Sequence, residues 1–397
     1  MSLNNIEKLI RSALPGLTEL RHDLHEYPEL GYEETRTSAR IANELTKLPG
    51  LTVQTGLADT GIVAVLGADK PEPCIALRAD MDALPIQEQS NKNYASKVPG
   101  KMHACGHDGH VTCLVGAAQV LSAVADQLHG PVKFIFQPAE EGGAGGRRMC
   151  EEGVLADPDV SAIFGLHGWP TLKLGEVGLK SGPILASSDK LQITVNGCGS
   201  HAAFPHQGTD PTVIAAHVII ALQSIASRMT DPLDAVVVTI ARISGGSGFN
   251  IIPSKVELAG TVRTLNSDTR RKTHDHIAKI AENTAAAFGG SADVNIIDGY
   301  PVLENNPKAT DVVASIADSI KNVSAMAMDP VMGGEDFAFY AQRVPAAFYA
   351  LGVCPKDTEQ YPLLHQPNYD FADAAIPYGV RMHSEIALRF WDHWSAA

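Results

Sequence analysis

Positive charge is scarce in this 397-residue chain: 31 Lys and Arg stand against 45 Asp and Glu, a formal net charge of −14. Nucleic-acid backbones and anionic lipid surfaces attract basic proteins, so neither a nucleic acid nor a membrane is expected as a partner. Cysteine is scarce too. Cys74, Cys105, Cys113, Cys150, Cys198 and Cys354 are scattered, with no Cys-x-x-Cys pair among them. That excludes a thioredoxin-like redox site and the nucleobase-deaminase signature. The opening Met1-Ser2-Leu3-Asn4-Asn5 lacks a basic stretch followed by an apolar one, so no signal peptide is expected. With few, scattered thiols this points to a reducing, cytoplasmic location. No uncharged apolar run reaches the ~18 residues that a membrane span needs.

What is present is an ordinary globular composition, 45% hydrophobic and 19% charged, in a chain long enough for two domains. Short apolar runs bounded by turn residues, Gly61–Leu66, Cys74–Arg78, Val132–Gln137 and Ala162–His167, predict buried strands of a largely parallel sheet. Residues 34–48 form a helix pattern stopped by Pro49-Gly50, and 109–128 form one that is apolar all round, hence a core helix. A second pattern begins near Lys190. Strands at 191–196, 235–243, 255–264 and 291–298 alternate with helices at 211–228 and 267–288, in the β-α-β-β-α-β order of a ferredoxin-like unit. A helix at 310–322, a strand at 348–351 and a helix from Phe371 onward then return to the first pattern. The fold class expected is therefore α/β, with a smaller α+β domain inserted into it.

Chemistry-bearing residues gather where the strands end. Met102-His103-Ala104-Cys105-Gly106-His107-Asp108-Gly109-His110 is a loop just before the apolar helix. A Cys-x-His pair on a loop places a thiolate and an imidazole within reach of one metal ion; the plainer alternative is a polar loop in which Asp108 caps the helix. Gln137-Pro138-Ala139-Glu140-Glu141 puts two carboxylates directly after a buried strand. In extended backbone they would point to opposite sides, one to a metal and one to a substrate. A solvated acidic turn is the common alternative, but the carboxyl ends of parallel strands are where α/β sheets keep their sites. His167 follows an apolar strand, His365 lies in the returning segment, and Asp80 and Asp82 close another strand. Chance has no reason to collect His, Cys and Glu there, so a metal site is expected. Gly333-Gly334-Glu335-Asp336-Phe337 precedes a helix that Glu335 or Asp336 is placed to cap.

These motifs resemble the aminoacylase, hippurate hydrolase and auxin-conjugate hydrolase branch of the metal-dependent peptidase–deacylase family. The likeness runs from Arg21-His22-Asp23-Leu24-His25 through Pro28-Glu29-Leu30-Gly31 to His365. The resemblance implies a zinc-peptidase-like catalytic domain over 1–188 and 304–397, with an inserted lid and dimerisation domain over 189–303. It implies two divalent metal ions per subunit, held by Cys105, His107, Glu141, His167 and His365. A thiolate among imidazoles suits zinc and the carboxylates also admit manganese, with cobalt or nickel as alternatives. Glu140 matches the general base and Asp82 the carboxylate that orients a ligand histidine. No role is assigned to Asp80, which stands where the wider family has that histidine; His103 and His110 are expected to shape the metal loop. His201 matches a histidine that reaches across a homodimer, and Asn250 and Arg263 match residues holding a substrate carboxylate. The segment Gly333-Gly334-Glu335-Asp336-Phe337 resembles a family motif near the substrate, so a place near the site is the alternative to a capping role. The implied reaction is hydrolysis of an N-acyl amino acid, hippurate-like or N-acetylated, to a carboxylic acid and a free amino acid. A dipeptidase or carboxypeptidase sharing the machinery is the alternative, as is an inactive ligand-binding relative; the presence of Glu140 favours catalysis.

Overall fold

The computed structural model describes residues 4–71 and 73–394. Met1, Ser2 and Leu3, at the N-terminus expected to lack a signal peptide, lie outside the described residues. The chain divides into two compact units. The first holds the described residues up to Gly182, Glu304–Asp329 and Asp336 onward; the second holds Pro183–Leu303 and Pro330–Glu335.

An eight-stranded sheet organises the first unit, in the order Leu51–Leu57, Gly61–Leu66, Val132–Gln137, Cys74–Asp80, Val160–Lys173, Ala346–Cys354, Glu176–Leu179, Ser324–Ala327. Its centre is parallel: Cys74–Asp80 runs with Val132–Gln137 and Val160–Lys173, and Val160–Lys173 with Ala346–Cys354. Toward the edges, Gly61–Leu66 and Glu176–Leu179 join their inner neighbours antiparallel, so the sheet is mixed. The central strands Cys74–Asp80, Val132–Gln137 and Ala346–Cys354 are buried throughout, as strands covered on both faces must be.

Helix His107–Ala123 packs against helices Asn4–Glu26 and Ile376–Trp394. Nearly every one of its residues is buried, which explains its lack of a polar face. It stops at Ala123, short of the expected Leu128, and a separate turn covers Ala125–Gln127. A side chain on Gly109 would place its Cβ 2.2 Å from Phe371 Cγ, so only glycine lets that ring sit on the helix. This contact also moves the last helix. It begins at Ile376 rather than Phe371, because Phe371 is spent on Gly109 and Asp373 on Arg21. The expected 310–322 helix is Pro307–Ser319, started earlier by Asn306, whose side chain accepts Ala309 N–H at 3.1 Å.

The second unit is a four-stranded antiparallel sheet in the order Val236–Gly245, Lys255–Thr264, Ser188–Asn196, Ser291–Tyr300. Leu191, Ile193 and Val195 on the sheet pack with Val218, Leu222, Ile277 and Ala281 from helices Pro211–Ser224 and Ser267–Ala287. Asp210 caps the first of these helices, accepting Thr212 N–H at 2.8 Å, and Pro211 follows at the first helical position. The segment Pro211–Met229, 19 residues at mean hydropathy 1.4 and 28% buried over its most apolar window, is long and apolar enough to cross a membrane by length and composition. One face of it covers the sheet; Val213 and Ile220 on the other are exposed.

Candidate metal centre

Gly106, at φ 87°, starts the core helix, with His107 at its first position and Cys105 just before it. No side chain caps the helix at this position, and Asp108 turns inward instead. Cys105, His107 and His167 bring donor atoms within 4.8 Å of one another, and so do Cys105, Glu141 and His365. The five expected ligands are thus gathered, with Cys105 common to both groups. His365 arrives on a turn at φ 65° whose N–H donates to Ala104 O at 2.8 Å, tying the returning segment to the cysteine loop.

Asp82 organises the middle of the site. Its Oδ1 accepts from His107 Nδ1 at 3.3 Å and from Glu140 N–H at 3.0 Å, and its Oδ2 from Glu141 N–H at 2.9 Å. One buried carboxylate therefore anchors the His107 ring through Nδ1, leaving Nε2 without a hydrogen-bond partner, and also holds the peptides that carry both glutamates. The two glutamates are not extended as expected. They open the short turn Glu140–Gly143, entered through Ala139 at φ 52°. Glu140 is buried and Glu141 partly exposed, so the turn separates their surroundings where strand alternation was expected to. Glu34 supports this turn by accepting Ala139 N–H at 2.8 Å and Thr60 Oγ1–H at 2.8 Å; its burial pushes its pKa up to about 7. Sequence reasoning missed Glu34, although it lies only three residues after the Pro28-Glu29-Leu30-Gly31 segment.

His167 does not end a strand: Val160–Lys173 continues through it. Pairing with Cys74–Asp80 stops at Arg78↔Gly165, so His167 lies two residues past the paired stretch. Its Nδ1 donates to Gly168 O at 2.9 Å, leaving Nε2 to accept from Cys105 Sγ at 3.4 Å. The Asp336 carboxylate turns inward, and one of its bonds meets the first turn of helix Gly145–Glu151. It accepts from Arg78 at 2.9 Å, Gln137 Nε2 at 2.8 Å and Gly146 N–H at 2.7 Å, and sequence spacing gave no sign of that inward turn. His103 is fully buried with neither ring nitrogen hydrogen-bonded, and burial lowers its pKa to about 4.

The electrostatics ask for cations. Asp80, Asp82, Glu140, Glu141 and Asp336 line this buried region, where Arg78 pairs with Asp80 and Asp336. Burial opposes a charged His107, yet Asp80 and Asp82 outweigh it and hold its pKa up at about 10. Burial, reinforced by Glu141, Glu140 and Asp80, pushes the Cys105 thiol well above its usual range. So negative a region takes up protons unless another cation replaces them. His107 Nε2 and Glu141 Oε1 are buried without a hydrogen-bond partner; His365 Nε2 stands 3.2 Å from that oxygen but is poorly aligned to bond it. A thiolate, imidazoles and carboxylates are the donors zinc-like ions take, so the residues present fit bound divalent cations.

In the second unit, Ser200–His201 pairs with Ile251–Ile252, opposing His201 to Ile251. His201 is exposed, and its Nδ1 accepts Ala203 N–H at 3.1 Å. Asn250 is exposed beside it, its carbonyl accepting Ala202 N–H at 3.0 Å. Arg263, half-buried on Lys255–Thr264, donates through Nε to Thr261 Oγ1 at 3.1 Å. Among the described residues no carboxylate forms an ion pair with it. Gly334 packs close by: a Cβ there would lie 3.2 Å from Arg263 Nη1.

A mixed α/β sheet beside which thiol, imidazole and carboxylate donors gather, with a further buried glutamate among them, defines a metal-dependent hydrolase. Residues 76–389 match the profile of peptidase family M20/M25/M40. An IAA-amino acid hydrolase from Arabidopsis thaliana is 39% identical over 376 residues, 94% of this chain and 84% of the relative. An N-acetyl-L-cysteine deacetylase from Bacillus subtilis is 40% identical over 376 residues, 95% of this chain and 88% of the relative; a thermostable carboxypeptidase from Saccharolobus solfataricus, at 36% over 392 residues, covers 97% and 98%. Among solved structures, a dinuclear-metal-binding M20 peptidase from Bacillus subtilis superposes with a TM-score of 0.84 at 34% identity, over 96% of this chain and 99% of that one. The chain belongs to peptidase family M20/M25/M40.

Proposed function

We propose that the chain hydrolyses the amide bond of N-acyl amino acids, releasing a carboxylic acid and a free amino acid. The observation that carries this reading is the buried Glu140 held beside the donor cluster by Asp82: binding alone needs no second glutamate there. Cys105, His107, Glu141, His167 and His365 hold two divalent cations, zinc by the softness of the thiolate and manganese by the carboxylates. Such cations, when bound, acidify water and polarise the scissile carbonyl. Glu140 takes the proton from the attacking water and delivers it to the leaving nitrogen. Asp82 keeps His107 Nδ1 protonated and Glu140 in place. His201, whose Nδ1 is occupied as an acceptor, carries its proton on Nε2 and donates it to the developing oxyanion. Arg263 and Asn250 take the α-carboxylate, the guanidinium by a two-pronged contact that lysine cannot make.

The protein acts as a homodimer through its second unit, the expected lid, with His201 serving the partner's site. Two features support this. Val236–Gly245 is an edge strand with exposed Ile243, and helix Pro211–Ser224 shows exposed Val213 and Ile220; a second copy covers both. The free thiols support a reducing, cytoplasmic location. The reading is tested by assaying metal-loaded protein on N-acyl amino acids and on dipeptides. Turnover of the former supports it, and turnover of dipeptides alone makes the chain a peptidase instead. The dimer is tested by mixing His201→Ala with Glu140→Gln subunits: recovery of roughly a quarter of wild-type activity is expected under random exchange, and none if His201 acts within its own chain.

A further inference from the structure

Two acid–histidine pairs lie side by side in the first unit, and they are wired differently. Asp82 takes His107 Nδ1 and leaves His107 Nε2 without a hydrogen-bond partner, 3.7 Å from Asp80 Oδ2. Asp80 Oδ1 takes His110 Nδ1 at 2.7 Å, but His110 Nε2 is occupied: Gly168 N–H donates to it at 2.7 Å. That bond requires a bare Nε2, so the His110 proton sits on Nδ1 and donates to Asp80. Asp80 Oδ2 is fixed in turn by Arg78 Nη1 at 2.8 Å. Both His110 nitrogens and both Asp80 oxygens are thus spent within the protein, and all three side chains are fully buried. On the other face of the same residue, Gly168 O accepts from His167 Nδ1 at 2.9 Å. The His110 and His167 rings lie 4.5 Å apart, centroid to centroid.

We propose that Arg78, Asp80 and His110 form a positioning relay that clamps the Gly168 backbone and through it aims His167 Nε2 at the cation. His110 is then a positioning residue and not a ligand. The proposal rests on the reading of His167 as a metal donor. The relay gives a hydrogen-bonded reason for a histidine three residues after His107 and for a second buried aspartate beside Asp82.

The two nitrogens of His110 can be replaced separately. His110→Gln puts an amide oxygen near the place of Nε2, keeping an acceptor for Gly168 N–H while giving up Asp80. His110→Asn puts an amide nitrogen near the place of Nδ1, keeping Asp80 while losing Gly168. Cobalt(II) affinity is measured by competition with a chelator, and the visible spectrum of the cobalt protein is recorded, with His167→Ala as the reference for a lost donor. A supporting ligand partner is worth about 10–100-fold in metal affinity, so His110→Asn is expected to weaken one cobalt site by that factor and shift its spectrum, with His110→Gln within about threefold of wild type. Equal behaviour of the two variants, or the better retention by Asn, overturns the relay while leaving His167 as a ligand. A His167→Ala protein that binds cobalt like wild type overturns the ligand reading and the relay together. Should both His110 variants fail to fold, nitrogen-15 NMR of the histidines in wild-type protein decides: a neutral Nδ1–H ring with its Nε2 not metallated is expected, and an Nε2–H ring at His110 overturns the proposal.

Discussion

His107 and Asp108 are neighbours in one helical turn, yet they look into two different buried clusters. Around Asp108 the protein supplies its own cations. Arg21 pairs with Asp108 at 3.1 Å, Asp370 at 2.9 Å and Asp373 at 2.5 Å; His25 pairs with Asp108 at 2.9 Å, and Lys92 with Asp370 at 2.8 Å. Around His107 the balance is different: Arg78 takes Asp80 and Asp336, while Asp82, Glu140 and Glu141 face a histidine with a bare nitrogen. Both clusters are built from aspartate, glutamate and histidine. The two clusters differ in which carboxylates an arginine reaches: Arg21 pairs with three aspartates in the first, whereas in the second Arg78 pairs with Asp80 and Asp336 and Asp82 is bonded to His107 instead.

The sharpest way to break that comparison lies in the metal cluster. Glu140→Gln is expected to lower turnover by about 10²–10⁴-fold with bound metal retained, and Glu141→Gln to lose metal; elemental analysis beside initial rates separates them, and swapped phenotypes would reverse the assigned roles. The ion cluster should fail differently. Arg21→Met leaves buried carboxylates unpaired and is expected to cost about 3–5 kcal/mol in urea unfolding, with no rescue by added metal. Chelation of the wild type should instead cost a reversible amount, about 3 kcal/mol relative to metal at a hundred times its dissociation constant.

The same cluster predicts a pH dependence. Burial disfavours a charged His25, but Asp108 and Glu88 outweigh it and raise its pKa to about 9. A raised pKa means that the folded state binds the proton more tightly. The stabilisation is complete below the unfolded value near ~6.5 and is lost as pH rises through the folded one, a span worth roughly 3 kcal/mol. His25→Gln should flatten stability between those limits; an unchanged slope would assign the titration elsewhere. The smallest effect is expected in the second unit. Arg263→Lys keeps the charge and loses the planar fork, so KM should rise roughly tenfold with kcat nearly unchanged. A loss in kcat alone would place Arg263 in the chemistry and not in binding.

The core helix and the buried central strands were legible because burial on all sides leaves an unbroken apolar signal. Leu51–Leu57, with an alternating and mostly exposed pattern, and the four-residue strands Glu176–Leu179 and Ser324–Ala327 at the far edge carry a weak signal, and they escaped. Helix ends moved where a tertiary contact claimed a residue, as Gly109 claims Phe371. The Glu140–Glu141 backbone was misread as extended because nothing local announces that Ala139 takes φ 52°; the hydrogen bonds from Glu34 and Asp82 that support the turn come from far away in the chain.

By itself the sequence determined which donors exist and which are near neighbours: the Cys105–His107 spacing, the adjacent glutamates, the α/β alternation with an inserted β-α-β-β-α-β unit. These follow from local periodicity and residue chemistry. Only the tertiary structure decided which nitrogen of His110 is bare, that Asp82 bonds His107 while Asp80 bonds His110, and that Arg21 goes to Asp108 while Arg78 goes to Asp80 and Asp336. The reason is physical. A buried charge is tolerated only with a partner, and apart from Arg78 and Asp80 these partners lie 25 to 258 residues apart in the chain, where no local pattern reaches.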